Sequence, residues 1–274
     1  MAAPGAVLEK LADGFRFTEG PAADSEGNVY FTDQPNNRIL KWSVAGALST
    51  FLQPAGRANG LCFDHQGRLL ACADEKNELW SIDLTGKITV LVKEYNGKLL
   101  NGPNDVWAAP DGGIYFTDPY YPRAYWQRGP MQQEVQGVYY LPPGGMGLRR
   151  VVDGLKQPNG IIGTPDGKRL YVADIGAQRT YVFDVRPDGT LAGKRLFCEM
   201  GSDGVTLDSE ENLYLTGKGV TVWNREGKQI AWIDVPEPWT ANVCFGGPHR
   251  SILFITAGKA LYALRTRVKG VGSQ

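Results

Sequence analysis

One short pattern recurs six times along this 274-residue chain, and it restricts the possible folds more than any other feature. It begins with a carboxylate or a carboxamide and runs straight into apolar residues: Glu19-Gly20-Pro21, Asn59-Gly60-Leu61, Asn104-Asp105-Val106, Asn159-Gly160-Ile161, Asp203-Gly204-Val205 and Asn242-Val243-Cys244. After each station come a turn rich in Asp, Gly, Pro or Ser and a second apolar run. Four of those second runs end in aspartate, at Asp33, Asp74, Asp118 and Asp174. A third and often a fourth strand-like run follow, as at Arg38–Trp42 and Ile88–Val92. A period of roughly 40–45 residues holding four short strands is the blade of a β-propeller. The expected fold is therefore all-β: one domain over residues 1–274, a six-bladed β-propeller with four-stranded antiparallel blades. The segment Val7–Leu11 pairs outside Ala260–Arg265 as the outer strand of the last blade and closes the ring, which protects its edges. Helix is nearly absent, because no long run has 3.6-residue periodicity with caps.

Composition agrees with many strands and many turns: 42% hydrophobic residues, 11% aromatic, 35 glycines and 17 prolines. Lys plus Arg and Asp plus Glu balance at 29 each, so no basic stripe invites nucleic acid or an anionic membrane surface. No run approaches the roughly 18 apolar residues of a membrane span, and the N-terminal residues lack the features of a signal peptide. A cytoplasmic protein, monomeric or dimeric, is expected, with export the alternative if a signal peptide has been removed. The four cysteines show no CxxC spacing and read as reduced, buried apolar groups.

Antiparallel alternation fixes which loops share a face. Stations, blade-to-blade links and the loops between second and third strands lie together. The loops carrying His65 and His249 lie on the opposite face. The third blade carries an insertion, Pro119 to Gln136, between its second and third strands; it must stand over the stations, bringing Tyr120, Tyr121, Arg123, Tyr125, Trp126 and Arg128.

Glu19, Asn104, Asn159 and Asp203 offer hard oxygens and no sulfur or imidazole. Converging on one axis, they suit one divalent cation, Ca²⁺ first, with Mg²⁺ and Mn²⁺ next. Any one of them alone is more often a turn residue. Asn59 and Asn242 are channel-lining or substrate-contacting. Asp33, Asp74, Asp118 and Asp174 recur at one place and read as structural, although Asp118, which leads into the insertion, is also carried as a substrate contact. Without a histidine on the station face a Ser-His-Asp triad has no base.

Glu-Gly-Pro at Glu19, Pro-Asn-Asp at Asn104, Pro-Asn-Gly at Asn159 and Asp-Gly at Asp203 resemble the senescence-marker-protein (regucalcin)/gluconolactonase/LRE-like group of six-bladed propellers. Tyr-Phe-Thr-Asp-Pro at Tyr115 and Asn-Val-Cys-Phe-Gly-Gly-Pro at Asn242 add to the match, which spans essentially the whole chain. The resemblance implies a sugar-lactone hydrolase whose cation (Zn²⁺ and Fe²⁺ join the alternatives) is bound through Glu19, Asn159 and Asp203, with Asn104 beside it. The cation polarises the lactone carbonyl, and Asp203 or a metal-bound water activates the nucleophile. The polyhydroxylated substrate meets Asn59, Asn104, Asp118, Tyr120, Tyr121, Arg123 and Asn242. Some animal members carry an arginine two residues before the station asparagine, where this chain has Gly102. Two other expectations compete with the lactonase: an organophosphate hydrolase resembling diisopropyl-fluorophosphatase, and a non-catalytic binding module with a structural cation.

Overall fold

The computed structural model describes residues 2–271. Six four-stranded antiparallel sheets form a six-bladed β-propeller. The innermost strands are Thr18–Ala23, Ala58–Phe63, Val106–Ala108, Pro158–Gly163, Val205–Leu207 and Thr240–Gly246. Every station therefore lies at or just before the start of an inner strand. Two short 3₁₀ turns, Gln34–Asn36 and Ile175–Ala177, are the only helical elements among the described residues. No helix is long and apolar enough to cross a membrane.

The ring closes as the sequence implies. Glu9–Ala12 pairs with Ala260–Arg265, with Glu9 opposite Ala263, as the outer strand of blade six. The paired strand starts two residues later than expected, at Glu9, and extends to Ala12. A two-stranded hairpin, Glu94–Tyr95 with Lys98–Leu99, lies in the link to blade three and was not expected.

The core sits between blades. Its buried apolar side chains fall into six clusters, each shared by two successive blades. Tyr30 and Ile39 of blade one pack with Phe63 and Leu69 of blade two, and so on round the ring. The sixth cluster joins Phe254 and Leu261 of blade six to Phe31 and Leu40 of blade one. The four cysteines are unpaired thiols, as expected; three are buried, and Cys62 is half-buried.

Three threonines at the ends of second strands bind the blades together at the axis. Thr32 donates to the carbonyl of Asn59 at 3.1 Å, Thr117 to that of Asn159 at 2.7 Å and Thr216 to that of Ala241 at 2.8 Å. Each bond runs from one blade to the station of the next. Three of the four recurrent aspartates also hold station links. Asp33 accepts from the amides of Arg16 and Phe17, Asp118 from Asn101 and Gly102, and Asp174 from Lys156 and Gln157.

Closure through the first strand should matter for stability. Removal of residues 1–12 uncovers the edge of Ala260–Arg265 and part of the sixth cluster. The melting temperature should fall by about 2–4 °C for each kcal/mol lost, with aggregation on heating. An unchanged melting curve would show that Glu9–Ala12 does not secure the ring.

Candidate functional site

The stations meet at the axis because glycine lets them. A Cβ on Gly20 would stand 2.1 Å from the carbonyl oxygen of Asn59, and one on Gly60 would stand 2.5 Å from that of Asn104. On Gly160 it would meet the carbonyl oxygen of Asp203 at 2.7 Å, and on Gly204 the carboxamide of Asn242 at 2.0 Å. The third station has Asp105 at the position of this glycine, so an additional carboxylate enters the axis.

Glu19, Asp105 and Asp203 lie close enough to interact electrostatically, and Asn159 and Asn242 bond to two of them. Asn159 Nδ2 donates to Asp203 Oδ1 at 2.9 Å and to the Tyr121 hydroxyl at 3.0 Å. Trp239 Nε1 donates to Asp203 Oδ2 at 2.6 Å. Asn242 Nδ2 donates to Glu19 Oε2 at 3.2 Å, and that oxygen also accepts from the amide of Gly20 at 2.6 Å. Asp105 accepts from the amides of Val106 and Ile161. Asn104 is held through its main chain: its N–H donates to Thr117, and its carbonyl accepts from Gly60 at 2.7 Å. Asn59 is buried, and its Oδ1 has no hydrogen-bond partner.

Burial dominates the electrostatics. Glu19 is 2% exposed, and its carboxyl is held well above the usual range by burial, then by repulsion from Asp203 and Asp105. Burial pushes Asp105 up to about 8. Burial raises Asp203 to about 6, with the Trp239 and Asn159 bonds and the Arg123 charge opposing the rise. None of the three carboxylates makes an ion pair among the described residues. Three buried acids without a counter-ion suit a divalent cation. Among the described residues no three Asp, Glu, His or Cys side chains form a metal-holding group, so a cation here needs amide oxygens as well. The partnerless Oδ1 of Asn59 is one such oxygen. Asn159 spends its Nδ2 on neighbours, which leaves its side-chain oxygen Oδ1 to face a cation.

The 119–136 insertion supplies the rim. Tyr121 reaches the site through Asn159. Tyr120 packs on Trp126 instead, with ring centroids 5.7 Å apart, and Arg123 is engaged by Asp74 at 2.9 Å. Asp118 needs correction as a substrate contact: it is fully buried, and both its oxygens are taken by station amides. On the far side, an axial cavity of about 430 Å³ runs from His65 and Arg250 inward to Asp105 and Asn242. His65 thus approaches the axis from the face opposite the stations.

Sequence reasoning missed Asp105, Trp239 and the partners of Asp74. Asp105 carried a signal, as the one acidic residue in a slot that four other stations give to glycine. Trp239 carried none, because its partner lies in another blade.

A six-bladed ring with an acidic and amide centre at its axis defines the class. The chain belongs to the SMP-30/gluconolactonase/LRE-like family, whose model matches residues 17–259. It is 28% identical over 294 residues to a gluconolactonase of Zymomonas mobilis subsp. mobilis, covering 96% of this chain and 82% of that one. A solved gluconolactonase from Xanthomonas campestris superposes with a TM-score of 0.90 at 32% identity, covering 96% of this chain and 91% of that one. A calcium-binding regucalcin from Agrobacterium tumefaciens shares the fold, with a TM-score of 0.81 at 20% identity over 97% of this chain and 96% of that one.

The raised carboxyls yield a pH prediction. A buried acid whose pKa is raised contributes stability that is complete below its unfolded value of about 4 and is lost as pH rises through the folded value. Metal-free protein should therefore lose stability as pH climbs through about 6 for Asp203 and about 8 for Asp105. Added calcium should raise the melting temperature more at the alkaline end than at the acid end. Scanning fluorimetry across pH, with chelator or with calcium, measures both effects; curves indifferent to pH and to calcium would contradict the reading.

Proposed function

We propose that this protein is a lactone hydrolase that opens sugar lactones at the Glu19–Asn159–Asp203 face. The observation that carries the proposal is the meeting of buried, uncompensated carboxylates with amide groups beneath an aromatic rim. Membership of the family and the gluconolactonases among its relatives support it.

Glu19, Asn159 and Asp203 would hold a divalent cation, with Asn104 and Asn59 as neighbouring oxygen donors. Calcium suits this hard-oxygen set best. When bound, the cation supplies electrophilic assistance to the lactone carbonyl and stabilises the oxyanion that forms there.

The remaining work falls to the protein's own groups. Asp203 is fixed at both oxygens, Oδ1 by Asn159 and Oδ2 by Trp239, and each oxygen retains a second lone pair. Its carboxylate accepts a proton from water as the water oxygen bonds to the carbonyl carbon. The ring carbon–oxygen bond then breaks, and the proton passes from Asp203 to the departing ring oxygen, giving a hydroxy acid. Burial raises Asp203 to about 6 in the metal-free protein, so it is ionised at neutral pH, and a cation bound beside it would favour the ionised form further. Tyr121 and Trp239 give the mouth aromatic surface on which a sugar ring can rest.

Asp203→Asn should lower kcat for glucono-δ-lactone by about 10²–10⁴, assayed at slightly acid pH where spontaneous opening is slow. Trp239→Phe, which removes one donor to Asp203, should cost about tenfold, or roughly 1.4 kcal/mol. A chelator should abolish turnover. Full activity of Asp203→Asn would remove this residue from the mechanism, and full activity without metal would remove the cation.

A further inference from the structure

The 119–136 loop has no regular secondary structure, so side chains must hold its shape. Its first half takes most of its outside hydrogen bonds from one residue, Asp74, directly after strand Leu69–Ala73. Asp74 Oδ2 accepts from Arg123 Nε at 2.9 Å, from Gln34 Nε2 at 3.3 Å and from the Tyr125 hydroxyl. The main-chain carbonyl of Asp74 accepts from Trp126 Nε1 at 2.7 Å. The Arg57 guanidinium lies over the Tyr125 ring at 4.3 Å.

The repeat supplies an internal control. Asp33, Asp118 and Asp174 occupy the same place in blades one, three and four, and each takes two main-chain amides of its own station link. Among the described residues Asp74 takes none. It is 3% exposed, and its side-chain donors come from the loop and from Gln34. Blade two has lost the structural use of its aspartate and directs it across the face. The neighbouring link makes room for this: a Cβ on Gly102 would stand 2.8 Å from Asp74 Oδ1 and 3.2 Å from the Trp126 ring.

Asp74 does not reach the Asn159–Asp203 pair. The segment it fastens does: Tyr121 accepts from Asn159 Nδ2 at 3.0 Å, and Arg123 lies over the Tyr121 ring at 5.4 Å. A loop already ordered before substrate arrives loses less freedom on binding. A loop that is ordered only part of the time weakens the apparent affinity by that fraction.

We propose that Asp74 is a positioning residue: by holding Arg123, Tyr125 and Trp126 it fixes Tyr121 over the Asn159–Asp203 pair, and so governs how tightly a polyhydroxylated lactone binds rather than how fast the bound lactone opens. The proposal rests on the lactone-hydrolase reading. The chemistry requires an acceptor-only group, since three donors converge on one oxygen and one of them is cationic. Asparagine keeps the volume and loses the charge.

The test pairs kinetics with limited trypsin digestion of the full chain. In Asp74→Asn, KM for glucono-δ-lactone should rise about tenfold while kcat stays within about twofold, as expected when the competent fraction falls. Cleavage after Arg123 and Arg128 should accelerate, with the melting temperature little changed. Tyr125→Phe removes one donor and no packing, and should shift both readouts the same way by less; it decides the matter if Asp74→Asn does not fold. Wild-type KM, or a fall in kcat alone, would overturn the proposal. So would unchanged trypsin resistance in the variants, whatever their activity. If the wild-type protein opens no lactone while Asp74→Asn is cut faster, the lactone-hydrolase reading fails and the positioning role falls with it, leaving Asp74 as a loop anchor.

Discussion

Everything at the centre of this molecule depends on how closely successive stations approach one another. Four of the six place glycine against the main chain or carboxamide of the next station, with no room for a Cβ. Threonine hydroxyls then fix that approach from alternate blades. The result is a narrow ring of main chain in which side chains separated by much of the sequence, such as Glu19 and Asn242, come within hydrogen-bond distance. A wider axis would leave Glu19 and Asp203 solvated as independent surface acids. The tight one removes their water, which raises the proton affinity of both, and the Asp203 charge raises that of Glu19 further.

The fold was legible because its signal is repetition. Six stations at a nearly constant period each report a strand start, and polarity alone then places the 119–136 insertion and both histidines on opposite faces. The station residues were legible for the same reason: Glu19, Asn159 and Asp203 begin strands that must point at one axis. What could not be read was whatever depends on a single contact between unrelated segments. Nothing near Trp239 announces that its indole will hold Asp203. Nothing in Leu69–Ala73 distinguishes Asp74 from its three counterparts until the loop is in place. Asp118 illustrates the converse error. Its position before the insertion made it a candidate for substrate, yet recurrence was the better guide, since the residue does what Asp33 and Asp174 do.

The two ends of the axis have different characters. On the station side, carboxylates and carboxamides meet under an aromatic rim. On the other side, an axial cavity of about 430 Å³ penetrates as far as Asp105 and Asn242. Those two residues divide the cavity from Glu19: Asn242 donates to Glu19, and Asp105 accepts from the amide of Ile161 in the next blade. An aspartate replaces glycine at this one station, so the barrier is built from the repeat by a single change of residue.

The distribution of the core bears on how such a chain is made. No blade contains its own apolar interior; each of the six clusters belongs to two neighbours, and one of them joins the last blade to the first. During synthesis the segment containing Glu9–Ala12 leaves the ribosome before all six inner strands, yet its partner Ala260–Arg265 emerges after them. Nascent blades therefore each expose one half of an unfinished interface, and the burden of keeping them apart from other chains falls on the cell until Ala260–Arg265 has emerged and the ring can close.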